Sequence, residues 1–211
     1  MLTLEKARAW YQNADAVHDF SHIERVTRMA ERLALAEGAD LEIVKAAALL
    51  HDADGTEPGS EARKEHHLRS SAFAERILNE EGWPQERIAA VQHCIRAHRF
   101  RGDAEPPETI EAKCLFDADK LDVLGAIGAA RALVYAALAG TPFYAAPSQQ
   151  FIKTGIKEEG ELHSAYHEHL YKLKKIEAKL YTRRARELAR GRSQYLEGFF
   201  AQLIAEINGE R

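Results

Sequence analysis

Asp40-Leu41-Glu42-Ile43-Val44-Lys45-Ala46-Ala47-Ala48-Leu49-Leu50-His51-Asp52-Ala53-Asp54-Gly55 is the stretch on which the fold turns. Asp40 suits a helix cap, because a short carboxylate accepts the first free amides. Behind it, Ala46 to Leu50 is apolar on every side, a pattern that marks a helix surrounded by neighbours. A central helix is predicted. It ends abruptly, since His51, Asp52 and Asp54 are polar and Gly55, Pro58 and Gly59 mark a loop. A polar pair directly after the most buried helix is costly unless a partner or a metal satisfies it. Neighbouring helix positions point about 100° apart, so His51 and Asp52 share one ligand most easily where the helix ends. Taken alone, the pair also reads as a histidine capping its own helix and an aspartate opening a turn.

The chain on either side is helical too. Thr3 to Asn13 is a short helix, and Ser21 with Glu24 has the spacing of a capping box. Ile23, Val26, Ala30 and Leu33 then recur at helical intervals up to Gly38. Glu61 to Glu80 forms the next helix, closed by Gly82. Pro84 opens another at its first position, striped by Ile88, Val91 and Ile95 up to His98. Gly102 to Pro107 is a loop, and residues 107–139 are one long helix or two joined ones. Residues 140–160, with Pro142 and Pro147, form a long ordered loop. A charged amphipathic helix over 163–190 and an apolar one over 193–207 complete the chain. No run of alternating β-branched residues bounded by turns is present. The expected fold is an all-α helical bundle in a single domain.

Composition narrows the class. The 211 residues are 45% hydrophobic and 29% charged, enough for one domain with a proper core. A net charge of −4 supplies no positive surplus for coating nucleic acid. Cys94 and Cys114 lie too far apart for a zinc knuckle or a disulfide framework, and they read as small core residues. They fit a reduced, cytoplasmic setting. The first residues are charged at Glu5 and Lys6 and lack the apolar core of a signal peptide. Val123 to Ala139 is apolar, but it is rich in Ala and Gly and broken by Arg131. Membrane spans need about 20 strongly apolar residues, so a buried helix is expected and no membrane partner.

His22 at a helix start, His51-Asp52 at a helix end and the acidic run Asp117-Ala118-Asp119-Lys120-Leu121-Asp122 complete the polar set. Asp119 and Asp122 are three apart and share a helix face, whereas Asp117 points away from both. With His22 in Ser-His-Ile-Glu-Arg-Val, His51-Asp52 in Leu-Leu-His-Asp and Asp119 in Asp-Ala-Asp-Lys-Leu-Asp, the sequence resembles the HD-domain metal-dependent phosphohydrolases. The resemblance runs from about Val17 to Arg131. Residues 163–207 resemble the C-terminal helices of a bacterial subgroup that includes a nucleoside-triphosphate pyrophosphohydrolase. The blocks His18-Asp19…Ser21-His22-Ile23 and Gly125-Ala126-Ile127-Gly128 resemble the same subgroup.

The resemblance implies one HD-type domain over 1–211, with a metal-binding core about 17–131 and C-terminal helices about 163–207. It implies that His22, His51, Asp52 and Asp119 bind one divalent metal ion. Mn²⁺ is the first choice, with Mg²⁺, Co²⁺, Ni²⁺, Fe²⁺ and Zn²⁺ as others. Two imidazoles and two carboxylates suit such first-row ions. Four protein ligands leave two octahedral positions, one for water and one for a phosphate oxygen, so no Ser or Cys nucleophile is required. The implied reaction turns a nucleoside triphosphate, deoxy by preference, into monophosphate and pyrophosphate. A 5′-monophosphatase has the same ligands. A di-iron oxygenase and a non-catalytic nucleotide-binding protein are the readings from other classes.

Further residues are assigned around that core. Asp52 and Asp122 are the catalytic carboxylates, Asp122 as acceptor or proton carrier behind the metal ligands. His18 approaches from the loop before His22, for substrate contact or packing. Arg25 and Lys120 face phosphate or pair with acids. His67 and His98 contact substrate or complete a second metal site. Lys174, from the run Lys172, Lys174 and Lys175, holds the outer phosphates of a triphosphate. The expected assembly is a monomer or homodimer.

Overall fold

In the computed structural model, which describes residues 2–11, 20–54, 65–99 and 105–211, every regular element among the described residues is helical. His18, the expected loop residues Gly55, Pro58 and Gly59, and the first residues of the helix expected from Glu61 lie outside these residues. Contacts divide the chain into two compact units, residues 1–120 with 180–185, and residues 121–179 with 186–211.

The first unit is built on the predicted central helix. Helix α1 (Leu4–Arg8) is capped by Thr3, and α2 (Phe20–Glu37) buries His22, Ile23, Val26, Ala30 and Leu33 on one face. The capping box does not form as predicted, because α2 already begins at Phe20. Phe20 is buried, with the Arg8 guanidinium 4.5 Å over its ring. Ser21 therefore sits inside the first turn, where its hydroxyl accepts from Arg25 at 2.7 Å. Gly38, with φ +72°, lets the chain leave α2 in a conformation that a side chain would strain.

Helix α3 (Leu41–Leu50) is capped as expected: one Asp40 oxygen accepts from Glu42 and Ile43 amides at 3.0 and 3.1 Å. Its residues Ala46 to Leu50 are all buried, and it packs against α1, α2, α4 and α5. Helices α4 (His66–Glu80) and α5 (Gln85–Ala97) pack on each other and are joined through Gly82, with Pro84 just outside α5 rather than at its first position. Helix α6 (Ile110–Leu121) closes the set. Cys94 and Cys114 are buried and free, as core cysteines should be.

In the second unit, α7 (Gly125–Leu138) follows as a separate helix. It buries Gly128, Ala129, Ala132 and Ala136, yet Ile127, Val134 and Leu138 stay exposed, so it is only half a buried helix. No single helix among the described residues is long and apolar enough to cross a membrane. The expected long loop contains α8 (Gln149–Thr154), capped by Ser148.

The C-terminal prediction fails most clearly. Instead of one helix over 163–190, there is α9 (Ala165–Tyr171), then two 3₁₀ turns at 173–175 and 177–179. Helix α10 (Arg183–Ile207) then runs straight through the predicted break near residue 191. The cause lies far away in sequence. The buried Asp117 carboxylate accepts the amides of Tyr181 at 3.0 Å and Thr182 at 2.6 Å, and Thr182 in turn accepts from Ala185. That grip takes Tyr181 and Thr182 out of the helical ladder and starts α10 afresh.

Candidate metal centre

All the polar groups that converge in the first unit sit at helix ends. His22 lies in the first turn of α2, His51 immediately after α3 with Asp52 next, and Asp119 in the last turn of α6. His66 opens α4 and His98 follows the last residue of α5. Helix ends leave backbone groups unmatched, so polar side chains are tolerated there at depths where a helix middle would exclude them.

His22 Nε2 is 3.5 Å from Asp119 Oδ1 and 3.9 Å from Asp52 Oδ2, and His51 Nε2 is 3.7 Å from Asp52 Oδ2. Ligand atoms of His22, His51 and Asp119 form one compact group. Asp52, His66 and His98 form a second: Asp52 Oδ1 lies 3.5 Å from His98 Nε2 and 3.6 Å from His66 Nε2. The predicted metal ligands are thus brought together, with Asp52 facing both groups.

Backbone carbonyls aim the rings. His51 Nδ1–H donates to Ala48 O at 2.8 Å, and His98 Nδ1–H donates to Ile95 O at 2.5 Å. Each ring in its neutral form then turns a bare Nε2 into the site. His66 Nε2 is 3.2 Å from His98 Nε2, so His66 is the donor of that pair. Tyr11 braces the same corner: its hydroxyl donates to Leu49 O at 2.8 Å, and burial with the Asp52 charge pushes its phenol well above the ordinary range.

Burial lowers the His51 imidazole to about 4, only partly opposed by the Asp52 charge. Burial works against charge on Asp52, but the facing imidazoles of His51, His98 and His66 outweigh it and hold the carboxyl well below the usual range. For Asp119, burial is likewise outweighed, here by the Lys120 ammonium and then by His22 and His51. The result is two ionised carboxylates and a neutral imidazole in a largely buried corner.

Two of these atoms, His51 Nε2 and Asp52 Oδ1, are buried without a hydrogen-bond partner among the described residues. Each such atom costs about 1–3 kcal/mol if left so. A divalent cation takes both a bare imidazole nitrogen and a carboxylate oxygen, so these residues fit a metal ion, and the mixed N/O set suits a first-row one.

The other predicted residues are placed as follows. Lys120 Nζ is 2.5 Å from Asp119 Oδ2, beside the group. Arg25 is engaged by Ser21. His67 is buried on the core face of α4 and belongs to neither ligand group; its neighbour His66 stands with His98 instead. Asp122 lies one residue past α6, and its Oδ2 accepts from Arg131 Nη1 at 3.0 Å. Lys174, in the second unit, is half-exposed and 3.5 Å from Glu197. Sequence reasoning missed His66 and Tyr11. Asp117, expected to point away from Asp119, is occupied by Tyr181 and Thr182.

Comparison with known proteins agrees with this geometry. The HD domain family model matches residues 19–124, which contain all six converging groups. Bacillus subtilis YpgQ, an uncharacterized protein, is 32% identical, over 97% of this chain and 94% of its own. A crystal structure of YpgQ in complex with ADP superposes with a TM-score of 0.73 at 31% identity, covering 98% of this chain and 99% of that one. An HD-superfamily hydrolase from Bacillus thuringiensis superposes at 0.68 with 29% identity, covering 97% and 96%. The family match over half of the chain and the 32% identity over nearly all of it show that this chain belongs to the HD domain family.

Proposed function

We propose that this protein is a metal-dependent phosphohydrolase that cleaves a nucleoside triphosphate, deoxy by preference, to monophosphate and pyrophosphate. One observation carries the metal dependence: His51 Nε2 is buried, bare and unpartnered in a group with His22 and Asp119. The hydrolase class is supported by the likeness to the Bacillus thuringiensis hydrolase, and the nucleotide class by the ADP held by YpgQ.

His22, His51, Asp52 and Asp119 would hold the ion, Mn²⁺ by first choice. When bound, such an ion offsets charge on a phosphoryl oxygen and lowers the pKa of a water. The chain's own groups do the rest. Lys120, beside Asp119, offers an ammonium to a phosphate oxygen. His66 Nε2–H, directed at His98 Nε2, is a ring donor that can turn to a phosphate oxygen. Asp122, proposed as a catalytic carboxylate, is held in a fixed orientation by Arg131.

The second group favours one further reading. Asp52, His66 and His98 offer places for another ion, and with two irons the centre would suit O₂-dependent oxidation. Metal analysis separates the two. Hydrolysis at a single ion calls for one ion per chain and no O₂ uptake. The test of substrate is a screen of nucleoside mono-, di- and triphosphates with Mn²⁺, resolving products by chromatography. Pyrophosphate from triphosphates is the expected result. Orthophosphate from monophosphates alone would replace the proposal with a 5′-monophosphatase.

A further inference from the structure

The family match begins at residue 19, so α1 and the turn after it lie outside the matched region. Tyr11, just past that turn, nevertheless reaches the metal centre. Its ring is buried, with its centroid 5.7 Å from that of Phe20, and its hydroxyl donates to Leu49 O at 2.8 Å. The Asp52 amide faces the same phenol oxygen.

The weight of that contact follows from where α3 stops. The last four carbonyls of a helix find no amide within the helix. In α3 three of them have separate partners: Ala48 O accepts from the His51 ring, Leu50 O from the Ala53 amide, and Leu49 O from Tyr11. The first two partners belong to the turn itself and move with it. Among the three, only Tyr11 comes from another element. A turn closed on its own atoms can swing as a body, whereas a hydroxyl from outside fixes it against the rest of the first unit. That turn is the one that presents His51 and Asp52, whose Nε2 and Oδ2 atoms lie 3.7 Å apart. Metal–ligand distances tolerate only about 0.2 Å, so a small swing there is felt by an ion.

The oxygen is not needed to hold the N-terminal segment in place. Ala7 and Leu2 are buried, and the Trp10 ring packs edge-on against Phe73 with centroids 5.6 Å apart. A phenylalanine would fill the same space as Tyr11, and a buried hydroxyl is costly unless it is bonded. The hydroxyl therefore acts on the turn it bonds.

We propose that Tyr11 is a positioning residue for the metal centre: its hydroxyl pins the turn after α3 and so sets how His51 and Asp52 present their ligand atoms. This rests on the reading of His22, His51, Asp52 and Asp119 as metal ligands.

The test is calorimetric titration of metal-free native protein and Tyr11→Phe with Mn²⁺, together with the visible absorption of their Co²⁺ forms, which reports the arrangement of the ligands. Ile88→Val is the control. Ile88 is buried on α5, ten residues before His98, and its truncation removes stability of the same order as a lost hydroxyl bond without touching the centre. Tyr11→Phe is expected to bind Mn²⁺ about tenfold or more weakly and to show an altered Co²⁺ spectrum. Ile88→Val is expected to match the native protein in both. Native affinity and spectrum in Tyr11→Phe overturn the proposal and leave the metal reading standing. Equal weakening in Ile88→Val also overturns it, because general stability then accounts for the effect. A Tyr11→Phe chain that circular dichroism shows to be unfolded makes the hydroxyl a requirement of the fold and overturns the positioning role. A native protein that takes up neither Mn²⁺ nor Co²⁺ overturns the metal reading itself, and this proposal with it.

Discussion

Replacing Asp117 with Asn separates the acid that shapes the fold from the acid two residues on that faces the metal centre. The Asp117 carboxylate is fully buried and accepts Tyr181 N–H at 3.0 Å and Thr182 N–H at 2.6 Å. An amide keeps one acceptor oxygen but turns an NH₂ donor toward a backbone donor. Hydrogen bonds to a charged acceptor contribute about 1.5–3 kcal/mol, and a buried donor left unmatched costs about 1–3 kcal/mol. Asp117→Asn is therefore expected to cost about 3 kcal/mol. For a chain of this length each kcal/mol moves Tm by about 2–4 °C, so Tm should fall by about 6–12 °C. Metal binding should survive. Asp119→Asn should do the reverse for the metal, while its lost ion pair with Lys120 also lowers the metal-free Tm. It should abolish the stabilisation by Mn²⁺, which is about 2.7 kcal/mol for the native protein at a hundredfold excess over Kd. Scanning calorimetry with and without Mn²⁺, alongside metal analysis, measures both effects. An Asp117→Asn protein that keeps its Tm, or that folds and has lost its metal, refutes the reasoning.

Three further outcomes are expected. His51 and His169 both sit near 4, chiefly through burial, whereas unfolded histidines titrate near about 6.5; the unfolded chain then binds more protons, so metal-free stability should be full above about pH 6.5 and decline toward pH 4. A urea midpoint that stays flat from pH 7 to pH 4.5 would contradict this. Gly128→Ala places a methyl 2.2 Å from the Val123 carbonyl oxygen and should cost about 1–3 kcal/mol or more, read as a lowered denaturant midpoint. Glu161 accepts from the Ser148 amide and hydroxyl, the Glu158 amide and His167, so Glu161→Gln should speed hydrogen exchange at Ser148 and Glu158. Unchanged exchange at both amides would show that the carboxylate does not order that segment.

The sequence made some features legible because their causes are local. Asp40 and the apolar run behind it predict α3, and His51-Asp52 marks its end. His66 was missed for an instructive reason. The core stripe of α4 is His67, Ser70, Ser71, Ala74 and Leu78, so periodicity draws attention to His67. His66 is the first residue of the helix, off that stripe, and a ligand at a helix start obeys the position of the loop rather than the period. Periodicity reports burial, and burial is not ligation. The C-terminal helices failed for the opposite reason: the break at Tyr181 and Thr182 is imposed by Asp117, 64 and 65 residues away. No window along 163–190 contains that cause.

The most direct test of the account is phosphorus NMR on a deoxynucleoside triphosphate incubated with the Mn²⁺-loaded native protein and, in parallel, with His51→Ala. Pyrophosphate and monophosphate should appear in equal amounts with the native protein and be absent with the variant. Equal turnover by the variant, or an inert native protein with its metal bound, would contradict the assignment of this cluster as the hydrolytic centre.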